Sequence, residues 1–177
     1  CKFSFVEKKT VARTRDYYTH VAIAPTKNQD RIEWFVEKVC ELGVDEITFI
    51  ETKRTERRRI NLERVEKKAI SAMKQSKNLY NSKINDLISI ENFVKNDSAE
   101  YQKFIAFVDH DNTEQLFKSA IPKNNYLVMI GPEGDFTNEE VTLAKDNNFL
   151  MISLGKSVLR TETAGVMACH TLELVNA

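Results

Sequence analysis

Two glycine-containing segments near the C-terminus have the residue types and the spacing of a small-molecule site. The first reads Ile-Gly-Pro-Glu-Gly-Asp-Phe-Thr over residues 130–137, and the second reads Ser-Leu-Gly-Lys over residues 153–156. The chain has five glycines, and three of them, Gly131, Gly134 and Gly155, fall in these segments. Because glycine has no Cβ atom, its backbone groups can approach a ligand closely. The alternative is that these are ordinary turn glycines.

The segments around these glycines predict strands that end at the proposed site. Apolar runs at residues 126–130 and 149–154 have the composition of buried parallel strands. Thr137 and Glu140 have capping-box spacing, which predicts that a helix begins at Asn138. Because α/β sheets bind ligands at the carboxyl ends of their strands, we predict that both glycine loops lie at the same edge of the sheet.

Neither glycine loop has the signature of a phosphate-binding loop. No Gly-Lys-Ser/Thr sequence follows the first loop, and neither loop reads G-x-G-x-x-G. This disfavours a phosphate cradle and leaves an uncharged or cationic small molecule as the predicted ligand.

At these residues the chain resembles the uridine-N3 methyltransferases of small-subunit ribosomal RNA. The pattern Gly-Pro-Glu-Gly-x-Phe from residue 131 is paired with Leu-Gly-x-x-x-Leu-Arg-Thr-Glu-Thr-Ala over residues 154–164. Two further segments, Lys27–Gly43 and Ser71–Ser76, are also similar to that family, and the similarity covers roughly residues 17–177. One departure is Asp135, where many relatives carry a third glycine.

The resemblance implies a SPOUT-type fold, in which a mainly parallel sheet is combined with a C-terminal trefoil knot that holds S-adenosylmethionine. The alternation of predicted strands and helices along the chain favours an α/β fold with a mainly parallel sheet on independent grounds. Knots are nearly absent from proteins, so the knot is implied by the resemblance alone. The implied reaction is methyl transfer from S-adenosylmethionine to N3 of a uridine in 16S ribosomal RNA, by a homodimer.

The resemblance also assigns roles to individual residues. Arg160 is predicted to stabilise negative charge on the base or to grip a phosphate, and Glu162 to orient Arg160. The alternative for Glu162 is a first-turn glutamate that interacts favourably with the helix dipole. The two loops are predicted to hold the cofactor, largely through backbone groups, with Ile130, Gly131, Glu133, Gly134, Leu154, Gly155, Val158, Leu159 and Thr161.

A basic run between residues 53 and 59 is the candidate contact for RNA. Charge runs are usually solvated surface, and this is the alternative interpretation. We favour phosphate binding because the run follows a strand predicted at residues 47–50, on the same edge as the glycine loops. The predicted RNA-binding residues are Arg31, Arg54, Arg57, Arg58 and Lys74.

The last helix, predicted over residues 162–175 and opened by a threonine at 161 or 163, is apolar on nearly all sides. Such a helix must be covered on both sides, which favours a second copy of the chain as the partner. The other predicted elements are helices at 31–42, 62–79, 91–95 and 113–119 and strands at 17–24 and 104–108, with residues 84–101 otherwise weakly patterned. Gly43 is predicted to end the helix at 31–42.

One short acidic cluster permits two interpretations. Asp109, His110 and Asp111 follow a predicted strand, and they either reach the cofactor or cap the next helix.

The composition excludes several classes of protein. The 177 residues carry 26 basic and 26 acidic side chains, so any RNA contact must come from a local patch. Three scattered cysteines have no metal-site spacing and indicate reduced thiols of a cytoplasmic protein. No apolar run approaches the roughly 20 residues of a membrane span. The resemblance implies that residues 17–177 form the methyltransferase domain, after a remnant of an N-terminal PUA-like RNA-binding barrel and a linker at 1–16, with strands between Phe3 and Val11.

Two other functions compete with this prediction. A ribose 2′-O-methyltransferase of the same knotted class usually has Asn-Glu-Gly and Ser-Leu-Asn-x-Ser loops, and neither occurs here. A non-catalytic RNA-binding module would keep the fold without the cofactor, so a filled cofactor pocket separates it from an enzyme.

Overall fold

The computed structural model describes residue 7 and residues 15–96, 100–108 and 114–177, in which strands and helices alternate. The strands are β1 (Tyr18–Ile23), β2 (Glu46–Glu51), β3 (Lys83–Ser89), β4 (Gln102–Ala106), β5 (Asn125–Ile130) and β6 (Leu150–Ile152). The helices are α1 (Gln29–Glu41), α2 (Leu62–Gln75), α3 (Ile90–Asn96), α4 (Leu116–Ser119), α5 (Asn138–Asp146) and α6 (Thr161–Val175). The predicted α/β class is confirmed. The strands predicted between Phe3 and Val11 and the cluster at residues 109–111 lie outside the described residues.

The six strands form one parallel sheet with the order β3-β2-β1-β5-β4-β6. The two central strands, β1 and β5, are buried along almost their whole length, as expected when helices cover both faces of a parallel sheet. All the strands run in one direction, so the loops that follow them lie at one edge. We call it the carboxyl edge.

Helices cover both faces of the sheet. Tyr126, Val128 and Ile130 of β5 belong to a core that includes buried residues of α1, α2 and α6. Leu127 and Met129, which alternate with them, belong to a second core that includes residues of α3 and α5. This alternation follows from the two-residue period of a strand and places β5, with its loop, at the centre of the molecule.

The helix ends confirm two sequence signals. Gly43 follows α1 with a φ of +79°, and its N–H donates to the Cys40 carbonyl oxygen, which closes the helix as predicted from the glycine. The predicted capping box begins α5, because the Thr137 N–H donates to Glu140 Oε2 at 2.7 Å and the Glu140 N–H to Thr137 Oγ1 at 3.3 Å.

Several predicted boundaries were wrong. Residues 84–101 contain the strand β3, which the weak pattern did not indicate because β3 pairs with β2 alone and is only partly buried. Helix α2 ends at Gln75, four residues early, because Lys77 turns the chain with a φ of +58°. Strand β6 spans only residues 150–152, and α4 begins at Leu116.

The start of α6 also differs from the prediction. Its N-cap is Arg160, with no side-chain capping hydrogen bond, so neither Thr161 nor Thr163 caps the helix. One face of α6 is buried within the chain, whereas Met167 and Leu174 are 42% and 54% exposed. The second cover predicted for this helix is therefore not supplied by the described part of the chain.

Two of the three cysteines, Cys40 and Cys169, are buried free thiols, and burial raises the pKa of both. Among the described residues, no helix is long and apolar enough to cross a membrane. The same part of the chain contains no group of three or more potential metal ligands.

Candidate active site

The two glycine loops follow β5 and β6, which lie on either side of β4 at the carboxyl edge. Because neighbouring strands are about 4.8 Å apart, the two strand ends are separated by about 10 Å. This spacing suits a ligand the size of a nucleoside, which would contact both loops.

Contacts from three other segments hold the first loop, residues 131–137. Arg54 Nη1 donates to the Gly134 carbonyl oxygen at 2.6 Å and to that of Phe136 at 3.2 Å. Glu133 Oε1 accepts a hydrogen bond at 3.0 Å from the Lys27 N–H, in the connection between β1 and α1. Asp135 Oδ2 accepts one at 3.0 Å from the Val108 N–H, after β4.

Asp135 is the residue that departs from the glycine found in many relatives. Its φ of +61° lies in the left-handed region, which glycine adopts freely and aspartate tolerates better than most residues. Asp135 Oδ1 accepts the Phe136 N–H at 2.8 Å, which stabilises this conformation locally. Burial raises the pKa of Asp135, although its two backbone hydrogen bonds and the charge of Arg54 act in the opposite direction.

The basic run after β2 does not act as one surface. Arg57 donates from Nε and Nη2 to the Lys27 carbonyl oxygen at 3.2 and 2.9 Å, so Arg57, like Arg54, joins two loops of the carboxyl edge. Arg58 forms a surface ion pair with Glu51 at 3.2 Å. Three of the predicted RNA contacts, Arg54, Arg57 and Arg58, therefore also make interactions within the chain, and the first two of them join loops.

The second loop is held mainly where it leaves β6. The Ser153 N–H donates to the Glu114 carbonyl oxygen at 2.7 Å, and Ser153 Oγ bonds both the N–H and the carbonyl oxygen of Gly155. Gly155 has a φ of +132°, which side chains rarely permit, and a Cβ atom there would meet no atom within 4 Å. Its backbone thus lies beside open space, as a cradle for a ligand requires.

The residues after Gly155 are exposed. Val158 is 76% exposed, and Arg160 is also on the surface. Within the described residues, no side chain between 156 and 160 has a hydrogen bond or ion pair to another residue. The guanidinium group of Arg160 is therefore available to bind an external group.

Glu162 lies near Arg31 rather than forming the predicted contact with Arg160. Its Oε1 atom is 3.7 Å from Arg31 Nε, and its side chain is almost fully buried. Glu162 Oε2 is buried and has no hydrogen-bond partner in the described structure. The structure thus brings together two residues that had been predicted to have different roles.

Lys74 lies at the opposite edge of the sheet. It is in the last turn of α2, which is 14 residues long and thus about 21 Å from end to end. Because α2 starts at the carboxyl edge and runs away from it, Lys74 is well separated from Arg54, Arg57 and Arg58. An RNA contact at Lys74 would belong to another part of the surface.

Sequence patterns missed the backbone partners of the first loop. The N–H groups of Lys27 and Val108, which donate to Glu133 and Asp135, carry no residue-type signal. A cleft of about 510 Å³ lies beside this loop, and it is lined by Lys53, Arg54, Phe107, Val108, Asp135, Phe136, Thr137, Asn138 and Glu139.

The parallel sheet with helices on both faces defines an α/β domain, and similar solved structures show its fold to be of the SPOUT methyltransferase type. The chain belongs to the family described as RNA methyltransferase domain, whose model matches residues 14–173.

Three relatives support this assignment. A crystal structure of a probable rRNA-methyltransferase from Porphyromonas gingivalis has a TM-score of 0.86 and 41% identity, covering 94% of this chain and 72% of that one. The ribosomal RNA small subunit methyltransferase E from Neisseria gonorrhoeae, solved bound to S-adenosylmethionine, has a TM-score of 0.82 and 26% identity, covering 90% and 67%. The enzyme of that name from Rickettsia conorii is 30% identical over 158 residues, which are 89% of this chain and 64% of that protein. The chain thus spans less than two thirds of this curated relative.

Proposed function

We propose that this chain is the catalytic domain of an S-adenosylmethionine-dependent methyltransferase that acts on N3 of a uridine in 16S ribosomal RNA. The observation that carries the proposal is the placement of two glycine loops after β5 and β6, on either side of β4, at the carboxyl edge of the sheet. The family membership and the relatives named for small-subunit RNA methylation support the choice of reaction and substrate.

The residues of the two loops fit S-adenosylmethionine. The open space beside Gly155 leaves room for a ligand against the backbone, and the side chains of Leu154, Val158 and Leu159 supply apolar surface for an adenine ring. No cationic cradle is needed, since the cofactor has no phosphate. We propose that the cofactor contacts Ile130, Gly131, Glu133, Gly134, Leu154, Gly155, Val158, Leu159 and Thr161.

The bound cofactor supplies an activated methyl group, so the chain's own task is mostly alignment and charge stabilisation. The imide N3 of uridine must lose its proton before it accepts a methyl group. We propose that the exposed Arg160 guanidinium stabilises the resulting negative charge on the base or binds an adjacent phosphate. Glu162 then acts through Arg31, whose side chain is 39% exposed and can reach the RNA from the same edge.

The proposed RNA surface consists of Arg31, Arg57 and Arg58 at the carboxyl edge, with Lys74 as a separate contact at the opposite edge. Clustered guanidinium groups bind phosphates with an affinity that falls as salt rises. Replacing Arg58 and Lys74 by alanine should make the negative slope of log affinity against log salt less steep, by roughly 0.7–0.9 for each phosphate that is no longer neutralised. An unchanged slope would mean that neither side chain contacts a phosphate and that both belong to the ordinary solvated surface.

We also propose a homodimer in which the exposed face of α6 is covered by a second copy. The apolar side chains of Met167 and Leu174 on this face support the proposal. Leu174→Lys should weaken the association because it places a charge in the interface. Sedimentation of the unmodified chain as a monomer of about 20 kDa at micromolar concentration would contradict the dimer.

We infer that the C-terminal part of the chain is knotted. Strand β6 is an edge strand beyond β4, whereas α6 packs on α1, β1 and β5. Residues 153–160 must therefore cross the carboxyl ends of β4 and β5, beside the first glycine loop. An experimental structure in which this crossing passes outside that loop without threading would contradict the knot.

The central test has two stages. Calorimetric titration with S-adenosylmethionine measures binding, for which we expect a dissociation constant in the micromolar range, about −8 kcal/mol. Incubation with small-subunit particles and labelled cofactor, followed by nucleoside analysis, then identifies the methylated atom. Label in 3-methyluridine supports the proposal, label on a ribose 2′-oxygen indicates the related 2′-O-methyltransferases, and an absence of cofactor binding indicates an RNA-binding module.

A further inference from the structure

We infer that Arg54 is a positioning residue for the cofactor, acting through the backbone of the first glycine loop rather than by gripping RNA. The inference rests on the proposed function, because it takes that loop to be part of the S-adenosylmethionine site. It gives a role to the first arginine of the basic run, which comes from a loop on the far side of β1 from β5.

Arg54 donates two hydrogen bonds that hold the turn of the first glycine loop in place. A single nitrogen, Nη1, lies 2.6 Å from the Gly134 carbonyl oxygen and 3.2 Å from that of Phe136. These two carbonyl groups bracket Asp135, whose φ of +61° is the unusual conformation of the loop. Holding both carbonyls toward one cation therefore fixes the peptide group before Asp135 and the one that follows Phe136.

The aliphatic part of Arg54 adds a steric constraint. A Cβ atom on Gly134 would lie 3.2 Å from Arg54 Cδ and 3.5 Å from Arg54 Cβ. The arginine stem thus lies directly along the glycine, and a side chain at position 134 would require that stem to shift. Glycine and arginine are matched, since the first permits the close approach and the second occupies it.

The charge of Arg54 has a second partner in Asp135, since it favours the ionised carboxylate that burial disfavours. Asp135 in turn accepts a hydrogen bond from the Val108 N–H. Arg54 therefore stabilises a series of contacts that connects the loop after β2, the first glycine loop and the end of β4. Lysine would keep the charge, but its ammonium group is more strongly hydrated, and its flexible stem loses more conformational freedom when it bonds two carbonyl oxygens. The arrangement therefore favours arginine over lysine.

The decisive experiment compares Arg54→Met, which keeps much of the aliphatic stem, and Arg54→Lys, which keeps the charge, with Arg59→Met as the matched control. Arg59 lies on the same basic run and is exposed, and no hydrogen bond or ion pair of its side chain is present among the described residues. We expect the dissociation constant for S-adenosylmethionine to rise about tenfold in Arg54→Met and by less in Arg54→Lys, while Arg59→Met matches the unmodified chain. Steady-state kinetics should show a raised KM for the cofactor with an unchanged KM for RNA.

Three results separate the alternatives. If the Arg54 variants bind the cofactor normally but have a flatter salt dependence of RNA affinity, Arg54 is a phosphate contact and the inference is wrong. If the cofactor affinity falls only in step with thermal stability, measured for all three variants, Arg54 is merely structural and the inference is also wrong. If the unmodified chain does not bind S-adenosylmethionine, the proposed function fails, and the inference fails with it.

Discussion

The two glycine loops at the carboxyl edge differ in how the rest of the chain holds them. The first loop, residues 131–137, receives hydrogen bonds from the loop after β1, the loop after β2 and the end of β4. The second loop is fixed at Ser153 and becomes exposed from Gly155 onward. Two segments with similar glycine content thus form one fixed wall and one open wall of the proposed cofactor site.

Because of this difference, we expect the two loops to contribute differently to ligand binding. A loop that is fixed before the ligand arrives loses little further conformational entropy on binding, and it defines where the reacting atoms lie. An open loop orders only when a ligand gives it contacts, which reduces the net affinity but allows ligand entry and release. We expect substitutions in the two loops to differ accordingly in their effects on stability and on ligand binding.

Valine at Gly155 should have the largest effect on binding. The φ of +132° at this position costs a branched residue about 1–3 kcal/mol, and the new side chain would fill the open space beside the backbone. We expect the affinity for S-adenosylmethionine, measured by calorimetry, to fall about 100-fold or more.

Gly134→Val tests the fixed wall in the same assay, because its side chain would displace Arg54. We expect it to abolish binding as well. Unchanged affinity in both valine variants would mean that the loops are only structural and would remove the distinction between the walls.

The anchoring of the second loop can be tested at Gly165, in the first turns of α6. A Cβ atom there would overlap with the Phe35 ring of α1 and lie 3.1 Å from Ile23 Cδ1. Gly165→Ala should therefore destabilise the fold by about 1–3 kcal/mol through overpacking, against about 1 kcal/mol gained from helix propensity. Denaturant unfolding measures the net change, and a more stable variant would show that α1 and α6 separate easily.

The sequence predicted the parts of this site that depend on local signals. The capping box of Thr137 and Glu140 and the glycine at the end of α1 involve residues close together in the chain, and both were confirmed. The carboxyl-edge position of the loops followed from the alternation of strands and helices. These features need no knowledge of which distant segments meet.

The contacts that distinguish the two loops were not predictable in this way. Arg54 and Gly134 are 80 residues apart, and the partner of the arginine is a backbone carbonyl that every residue type carries. The ion pair of Arg31 with Glu162 likewise depends on α6 packing against α1. The clustering of charge in the sequence therefore predicted an RNA surface. In the structure, two of these arginines, Arg54 and Arg57, join loops within the chain.

Hydrogen exchange compares the two walls directly. In the free protein we expect the amides of residues 133–136 to exchange about tenfold more slowly than those of residues 156–160, because opening the first loop breaks hydrogen bonds to other segments. Adding S-adenosylmethionine should slow exchange more in the second loop than in the first. Equal protection of both loops in the free protein would contradict the distinction between a fixed and an open wall.

The smallest expected effect concerns the pH dependence of the fixed wall. Because burial raises the pKa of Asp135, folding favours its protonated form over the ionised one. The resulting stabilisation is fully present below the ordinary pKa of an aspartate, about 3.9, and is lost as the pH rises through the raised value. Asp135→Asn has no such titration and tolerates the positive φ, although its amide keeps only one acceptor oxygen for the Val108 and Phe136 N–H groups.

The unfolding free energy of the unmodified chain, relative to Asp135→Asn, should therefore decrease as the pH rises from about 4 through the raised pKa of Asp135. Urea unfolding of both proteins across this range measures the difference, and all other titrating groups cancel in the comparison. A difference that increases with pH would mean that the hydrogen bonds and the Arg54 charge outweigh burial at this carboxylate. In that case the ionised Asp135 carboxylate stabilises the first loop. The charge of Arg54 then stabilises this loop through Asp135, in addition to the hydrogen bonds that Arg54 donates to the two carbonyl oxygens.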